Sequence, residues 1–301
     1  MAGTKYGHLV KPLPVKKGPG KANAQELVWM MGNELEGFDL NFAWGVYNGV
    51  GNWHEGAPGG GNGAHTHPYD EVLVFVGHNT SDLTKLGAEL EISLGNELEK
   101  HTINKATAVI VPKGVVHCPL IAKRVDRPYS HYHMALGPEY KTDWVNPPGE
   151  KTNGKKYSHL VKPLPVMKGP GGGNANQIAW LQGRDLEGMN LNFTWGLYGD
   201  PGDWEPGRDP HVHPYDECLL FVGHNTDDLS YLGAEVELSL GKEQEKHLIN
   251  KATVATIPRG MVHCPVVTKT NSRFSFILMA LGAQPKYKWL GPKAPKETQT
   301  W

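Results

Sequence analysis

Two histidines and a glutamate stand at the head of an apolar run in the stretch HTHPYDEVLVFVG, residues 65–77. His65 and His67 are two positions apart, so their side chains point to the same face of an extended chain. Glu71 has the same parity, and His117 ends a second apolar run after a Pro-x-Gly turn. Three imidazoles and one carboxylate form a ligand set for a divalent first-row metal ion. The spacing therefore predicts a metal site.

The same four residue types occur a second time, because residues 211–223 read HVHPYDECLLFVG and a fourth histidine follows at the matching distance. A buried carboxylate without a partner is costly, which disfavours a purely structural role for the glutamate. The two copies have diverged elsewhere, while all eight positions keep their residue types. We therefore expect one divalent metal ion in each copy. The second predicted ligand set is His211, His213, Glu217 and His263.

These sites lie in a tandem duplication that covers the whole chain of 301 residues. YGHLVKPLPVKKGPG from Tyr6 returns as YSHLVKPLPVMKGPG from Tyr157, and later segments match in the same order. A repeat of half the chain is far longer than a solenoid module of roughly 20–50 residues. Turn formers and charges fill 146–156 and indicate a linker. We predict an N-terminal domain over 1–150 and a C-terminal domain over 151–301.

Each copy shows the pattern of an all-β protein. Short runs rich in β-branched and aromatic residues are separated by Gly, Pro, Asn or Asp, which predicts strands over 40–47, 71–76, 88–94 and 107–112. The run 88–94 alternates and predicts a half-exposed strand, whereas 71–76 is apolar on both faces and predicts a strand covered on both sides. Each copy is therefore predicted to be a small antiparallel β-sandwich or barrel.

Proline-rich arms precede the strands of both copies, at 11–20 and 162–171. Proline cannot donate a hydrogen bond to a sheet, so these arms are poor strand interiors. We expect them to lie along a sheet edge or across the partner domain.

The two ligand motifs resemble those of the cupin superfamily, in which the first motif reads G-x5-H-x-H-x3/4-E-x6-G and the second ends P-x-G-x2-H-x3-N. HTHPYDEVLVFVG with VPKGVVH, and HVHPYDECLLFVG with IPRGMVH, match them in both halves, so the chain resembles a bicupin. Gly59 is in place in the first copy only, the Glu-to-Gly spacing is one residue shorter, and Ile121 and Val267 replace the final Asn. The resemblance implies two tandem antiparallel β-barrel or jelly-roll domains, with the four ligands of each inside the barrel on an open metal site.

Differences between the copies indicate where their chemistry diverges. His131 and His133 share one strand face, where the second copy has Phe276 and Leu278. Either this face lines the cavity, or it faces solvent and the second copy exposes two apolar side chains. Burial of apolar groups is lower in free energy, so we expect His131 and His133 in the cavity, where they could move protons as candidate catalytic residues. The alternative is that they are hydrogen-bonded structural histidines.

Arg208 is the other difference, because it stands three residues before His211 where the first copy has Asn62. In oxalate-decarboxylase-like bicupins an arginine at this place holds a substrate carboxylate, and Arg208 matches it. A guanidinium suits a carboxylate because it can bind bidentately. Arg208 is therefore a candidate catalytic residue, the alternative being a turn residue that pairs with Asp209 or solvent.

Other residues beside the ligands carry weaker signals. Asp70 neighbours the ligand glutamate and should point away from it, in a structural or supporting role. Cys118 and Cys264 each follow a ligand histidine, so on a regular strand they point away from the metal and pack as small apolar residues. Tyr69 has no assigned role. The second copy repeats these neighbours as Tyr215 and Asp216.

Three hypotheses for function follow. The first is a metal-dependent enzyme that chelates a small carboxylate, enol or phenol and cleaves a C–C bond by dioxygenation or decarboxylation. Iron or manganese is favoured if redox chemistry is used, whereas zinc, nickel or cobalt would serve a non-redox reaction. The second is a non-redox isomerase or hydrolase acting on a sugar or sugar acid. The third is a non-catalytic metal-binding, storage or ligand-binding bicupin with a closed site.

Composition excludes several other classes. The formal net charge is −1 and no basic stripe occurs, so we expect a small-molecule substrate and neither nucleic acid nor membrane as a partner. The first ten residues lack the apolar core of a secretory signal, and the odd cysteine count argues against a disulfide framework. A cytoplasmic location is expected on these grounds. Assembly into a homo-oligomer stays open.

Overall fold

The computed structural model describes residues 4–55, 63–147, 155–204, 209–270 and 272–290. In these ranges every strand pairing is antiparallel, and the helices are short 3-10 turns at Gly7–Leu9, Gly32–Glu34, Ser158–Leu160 and Gly183–Asp185. The prediction of an all-β protein is confirmed. Among the described residues, none of the helices has the length and apolar character needed to cross a bilayer.

The chain divides into two compact units. The N-terminal unit runs from Pro14 to Leu164, and the C-terminal unit combines the described residues up to Leu13 with those from Pro165 onward. Residues 4–13, which the repeat assigns to the N-terminal copy, thus belong to the C-terminal unit. The physical reason is strand pairing, because each proline-rich arm adds a strand to the edge of a sheet.

The strands are numbered β1 to β26 in chain order. The seven-stranded sheet of the N-terminal unit has the order β14 (Val161–Pro163), β10 (Thr107–Val111), β7 (Glu71–Gly77), β12 (Tyr129–Ala135), β4 (Asn41–Tyr47), β3 (Glu26–Met30) and β2 (Lys16–Lys17). Its second sheet has the order β13 (Asp143–Trp144), β6 (His65–Thr66), β11 (His117–Val125), β8 (Lys85–Leu94) and β9 (Glu99–Lys105), with β5 (Gly51–Asn52) beside β11.

The C-terminal unit repeats this plan. Its seven-stranded sheet has the order β1 (Val10–Pro12), β23 (Thr253–Ile257), β20 (Glu217–Val222), β25 (Phe274–Ala280), β17 (Asn192–Tyr198), β16 (Gln177–Leu181) and β15 (Met167–Lys168). Its second sheet has the order β22 (Glu245–Lys251), β21 (Tyr231–Leu240), β24 (His263–Thr268), β19 (His211–Val212) and β26 (Lys288–Trp289), with β18 (Gly202–Asp203) beside β24.

Burial follows the sequence pattern strand by strand. Every residue of β7 is buried, as a strand that is apolar on both faces requires. In β8 buried and partly exposed residues alternate, so one face packs inward and the other meets solvent. Both predictions, for 71–76 and 88–94, are confirmed.

The proline-rich arms lie at sheet edges, as their poor donor capacity predicts. β1 pairs with β23 at one edge of the C-terminal unit, and β14 pairs with β10 at one edge of the N-terminal unit. A carboxylate anchors the first arm, because Glu245 accepts hydrogen bonds from the backbone N–H groups of Lys5 and Tyr6 at 3.0 and 3.2 Å. Leu9 then enters the buried core of this unit.

Replacement of Leu9 by alanine is expected to destabilise the C-terminal unit by about 2–5 kcal/mol, because a buried leucine is removed and a cavity remains. Chemical denaturation followed by tryptophan fluorescence measures the loss. The matched variant Leu160→Ala removes the equivalent buried leucine of the N-terminal unit and should have a similar effect. A change below about 0.5 kcal/mol, the scale of surface substitutions, would show that the arm adds nothing to the core.

Candidate metal centres

The N-terminal ligand candidates come from three strands and the loop after β6. His65 opposes His117 directly in the pairing of β6 with β11, while Glu71 begins β7 in the other sheet. All four side chains are buried. The ligand nitrogens of His65, His67 and His117 lie within 4.8 Å of one another. The structure therefore brings the predicted set together at one place between the two sheets.

Backbone carbonyl groups fix the orientation of these three imidazoles. Because a carbonyl oxygen can only accept a hydrogen bond, Nδ1 of each ring carries the proton and Nε2 keeps a free lone pair. A metal-binding histidine is oriented in this way by a partner on its other nitrogen. The contacts are His65 Nδ1 to Gly63 O at 2.7 Å, His67 Nδ1 to Lys141 O at 2.5 Å and His117 Nδ1 to Val115 O at 3.2 Å.

Glu71 shows that a divalent cation fits this arrangement. Its Oε1 lies 2.8 Å from His117 Nε2, and its Oε2 lies 3.3 Å from His67 Nε2. With the protons on Nδ1, lone pairs face lone pairs across these short distances, and Oε1 has no hydrogen-bond partner. A cation between the nitrogens and the carboxylate removes this repulsion. The donor set of imidazole and carboxylate suits a divalent first-row metal.

The C-terminal candidates are arranged in the same way. Glu217 Oε1 lies 2.9 Å from His263 Nε2, and Oε2 lies 3.7 Å from His213 Nε2. Both carboxylate oxygens are buried without a hydrogen-bond partner, so this group also fits a cation. Backbone carbonyl groups again hold the ring nitrogens, with His211 Nδ1 to Asp209 O at 2.9 Å, His213 Nδ1 to Lys286 O at 2.7 Å and His263 Nδ1 to Met261 O at 3.1 Å.

The electrostatics favour the metal-binding forms of most ligands. The exception is His117, because burial lowers its pKa but the neighbouring Glu71 carboxylate raises it more strongly. Burial, reinforced by repulsion from a neighbouring histidine, lowers the pKa of His65 and of His211 to about 2, so both imidazoles are neutral. Burial opposes ionisation of Glu71, but His117 and His133 lower its pKa well below the usual range. The neighbouring histidines likewise outweigh burial and lower the pKa of Glu217 to about 2. Neutral imidazole and ionised carboxylate are the forms that bind metal ions.

Tyr69 positions a ligand histidine. Its ring stacks on His67 with centroids 5.3 Å apart and an interplanar angle of 9°. Its hydroxyl accepts a hydrogen bond from the backbone N–H of Lys141 at 2.9 Å, and the carbonyl of the same residue holds His67 Nδ1. Tyr215 stacks on His213 in the C-terminal unit, with centroids 5.1 Å apart.

Asp70 supports the other ligand strand. Its Oδ1 accepts a hydrogen bond from the backbone N–H of Lys113 at 2.8 Å, in the turn that precedes His117. Asp216 accepts the equivalent bond from Arg259 at 2.7 Å. The aspartate of the HxHPYDE motif therefore joins the two ligand segments of each unit, whereas the tyrosine joins the first ligand segment to Lys141 or Lys286.

A cavity of about 170 Å³ opens beside the N-terminal ligands. His131 and His133 both line it, so the cavity-facing alternative is the one that the structure shows. His133 Nε2 lies 2.9 Å from Glu71 Oε2. His131 stacks on Phe75 with centroids 4.8 Å apart, and burial lowers its pKa to about 3. The other lining residues include Trp29, Ala43, Tyr47, Trp53, His54, Leu73, Leu120 and Tyr140.

The C-terminal cavity is similar in size, about 140 Å³, but lacks these two histidines. Phe276 and Leu278 line it at the corresponding positions of β25. Trp204 meets Phe276 edge-on with centroids 4.8 Å apart, so this wall is an apolar cluster. The two units therefore have equivalent ligands and different walls.

The cysteines that follow the last ligand histidines line the cavities, contrary to prediction. Cys118 and Cys264 have φ of 70°, a left-handed conformation that a regular strand does not contain. The pairing of β11 with β8 shifts its register between His117 and Leu120, so alternation fails at this point. The Cys118 sulfur lies within 4.8 Å of ligand atoms of His54 and His65. Burial raises the pKa of both thiols, which stay protonated.

Three residues of the sequence analysis lie outside the part of the chain that the structure describes. Arg208, its counterpart Asn62 and the motif residue Gly59 lie outside the described residues. Among the described residues that line the two cavities, none is a lysine or an arginine.

Several cavity residues escaped the sequence analysis. His54 has its ring centroid 5.3 Å from that of His65, and burial lowers its pKa to about 4. His54 aligns with Glu205 of the second copy. This difference between the copies is of the same kind as the one that identified His131, so the sequence could have identified His54 as well. Tyr140 lies in a loop, where no period predicts which way a side chain points.

Comparisons with known proteins support the fold. No family model matches the sequence, and no curated protein matches it either. Among solved structures, the chain is similar to Bacillus subtilis oxalate decarboxylase, studied for its Mn(II) centres, with 10% identity, a TM-score of 0.64 and coverage of 94% of this chain and 79% of that one. It is also similar to Lactobacillus farciminis oxalate decarboxylase in a formate complex, with 11% identity, a TM-score of 0.63 and coverage of 94% and 88%. The chain has the bicupin fold.

Proposed function

We propose that this bicupin is a metal-dependent enzyme whose N-terminal unit binds a small carboxylate, enol or phenol and cleaves a C–C bond, by dioxygenation or decarboxylation. The observation that carries the proposal is the unpaired Glu71 oxygen among three oriented imidazoles, at a cavity with two additional histidines. A closed structural site would leave no such space for a ligand.

His65, His67, Glu71 and His117 would hold the metal ion. When bound, the ion supplies Lewis acidity to the chelated oxygen atoms of a substrate and, if it is iron or manganese, redox chemistry as well. The Mn(II) centres of the similar decarboxylase support iron or manganese over zinc, nickel or cobalt. The equivalent residues of the C-terminal unit would hold a second ion.

The cavity wall indicates the class of substrate. Its volume of about 170 Å³ is below the ~300–1,000 Å³ of drug-sized pockets, so the substrate is small. Trp29, Tyr47, Trp53 and Tyr140 provide flat apolar surfaces that exclude water and orient a planar molecule. The exposed surface of this wall is mostly apolar, whereas a sugar requires a predominantly polar one. These features favour an enol, phenol or small carboxylate over the sugar alternative.

His133 is the residue best placed to move a proton. Its Nε2 lies 2.9 Å from Glu71 Oε2, between the ligands and the open cavity, and can hold a proton there for transfer to a substrate atom. His131 lies deeper and is neutral, because burial lowers its pKa to about 3. We propose that His133 transfers the proton and that His131 orients the substrate. Leu278 and Phe276 carry no group that could transfer a proton, so the proposal places the chemistry in the N-terminal unit.

Metal analysis and substrate turnover test this function. Protein purified from its native host is expected to contain a divalent ion in each unit. With iron or manganese bound, it should consume oxygen or release carbon dioxide with a member of a panel of catechols, β-diketones, keto acids and small dicarboxylates. A metal-free protein with all eight ligands intact would contradict the proposal. Turnover of sugar acids alone, without oxygen uptake or carbon dioxide release, would favour the non-redox alternative.

A further inference from the structure

In each unit a short segment beside the cavity leads from a central strand of the seven-stranded sheet to the strand that pairs with the first ligand histidine. In the N-terminal unit it is 136–142, between β12 and β13, and in the C-terminal unit it is 281–287, between β25 and β26. Lys141 and Lys286 confirm the alignment, because each uses its carbonyl and its N–H to hold a ligand histidine and the tyrosine stacked on it.

Each segment carries one tyrosine that lines the cavity, but at a different position. Tyr140 precedes Lys141 and aligns with Pro285, whereas Tyr287 follows Lys286 and aligns with Thr142. Residues two apart in an extended chain point to the same side, so both positions reach the same cavity wall. A duplication copies a residue in place. A tyrosine that occupies two different places is therefore not explained by the duplication itself.

Each ring lies against at least one ligand histidine. The Tyr140 ring is 5.3 Å from the ring of His67 and 5.9 Å from that of His133. The Tyr287 ring is 4.8 Å from that of His213 and 5.6 Å from that of His211. Tyr140 is 36% exposed, so it stands at the cavity mouth, where an entering molecule meets it.

Different aromatic neighbours hold the two rings. Tyr140 meets Trp29 edge-on, with centroids 4.6 Å apart and an interplanar angle of 80°. Tyr287 stacks on Trp289, with centroids 5.4 Å apart and an angle of 12°. Trp180, the counterpart of Trp29, does not line the C-terminal cavity and is 40% exposed. Each unit thus has its own support for a tyrosine at the same wall.

We propose that Tyr140 and Tyr287 determine the substrate preference of their cavities, each by donating a hydrogen bond from its hydroxyl to a substrate oxygen held beside the ligand histidines. This inference rests on the proposed binding of an oxygen-rich molecule at the metal ions. Tyr140 precedes its lysine along the chain, whereas Tyr287 follows the equivalent lysine. The two hydroxyl groups therefore meet a planar substrate from different positions and direct it into different orientations. The two cavities therefore prefer different molecules of the same chemical class.

The test is the binding of 4-nitrocatechol, a coloured chelating phenol, and of oxalate to the metal-loaded full chain. All variants carry His263→Ala, so that the N-terminal unit alone holds a metal ion, which metal analysis verifies. Tyr140→Phe keeps the ring and its packing but loses the hydroxyl. It is expected to weaken 4-nitrocatechol binding about 10-fold, the effect of one hydrogen bond, with metal content unchanged.

Two further variants make the result specific. Trp180→Phe changes a residue that lines neither cavity and should leave binding unchanged. Moving the tyrosine with Tyr140→Pro and Thr142→Tyr together should restore tight binding and change the ratio of the affinities for 4-nitrocatechol and oxalate. The parent chain is the one that carries His263→Ala alone. If it and the Tyr140→Phe variant bound 4-nitrocatechol equally well, the inference would be overturned and the proposed function would stand. A metal-loaded parent chain that binds neither probe would overturn the proposed function, and this inference with it.

Discussion

Replacing Glu71 with glutamine is expected to remove the metal ion from the N-terminal unit and to abolish turnover. The carboxylate is fully buried among three imidazoles, and the neutral amide can neither balance the charge of a divalent ion nor offer two equivalent donor oxygens. Loss of an outer partner of a metal site typically costs ~10–100-fold in affinity or activity, and loss of a direct ligand should cost more. Metal content per chain, measured by mass spectrometry beside the turnover rate, gives both effects.

The duplication supplies the control for this variant. Glu217→Gln makes the same change in the C-terminal unit, where the carboxylate is equally buried. It should remove the ion from that unit and leave turnover in place, because the proposed proton carriers belong to the N-terminal cavity. Equal loss of turnover in both variants would contradict the assignment of catalysis to one unit. Full metal occupancy in Glu71→Gln would contradict the role of Glu71 as a ligand.

Converting the N-terminal wall to the C-terminal wall is expected to lower turnover by ~10²–10⁴-fold, the usual contribution of general acid–base catalysis. The double variant His131→Phe and His133→Leu makes this conversion. The fold should accept it, because Phe276 and Leu278 occupy the equivalent positions in the C-terminal unit. Turnover is measured with metal content, which should not fall if His65, His67, Glu71 and His117 hold the ion. Because a ring nitrogen of His133 lies within 4.8 Å of ligand atoms of His67 and Glu71, a fall in metal content would identify His133 as a ligand instead.

The single variants separate the two roles. His133→Leu removes the nitrogen beside Glu71 Oε2 and should account for most of the loss in kcat. His131→Phe should act mainly on KM, because its ring packs deep in the wall against Phe75 and Trp53. Unchanged turnover in the double variant would show that these are structural histidines of the cavity wall.

Much of the fold follows from local patterns in the sequence. The all-β class, the strand buried on both faces and the alternating strand come from period-2 patterning, which depends only on neighbours along the chain. The ligand candidates follow from the same geometry, because a strand projects residues two apart to one face. The structure places all eight of these residues in two buried clusters, each with room for a ligand beside it.

Departures from regular geometry could not be predicted. Cys118 follows a ligand histidine on a strand, so alternation points it away, but the left-handed conformation and the register shift turn it into the cavity. The arm up to Leu13 packs with the C-terminal unit because β23 offers a free sheet edge, and strand pairing between distant segments leaves no trace in either segment alone.

The sequence by itself thus determined the duplication, the β class and the candidate ligands, since each is a matter of residue type and spacing along an extended chain. Only the tertiary structure decided what surrounds the ligands. His54, Trp29 and Tyr140 come from a short turn, another strand and a loop, and they meet beside Glu71 because the two sheets of the unit bring them there. Contacts of this kind depend on packing between the two sheets. They form the cavity wall that distinguishes one unit from the other.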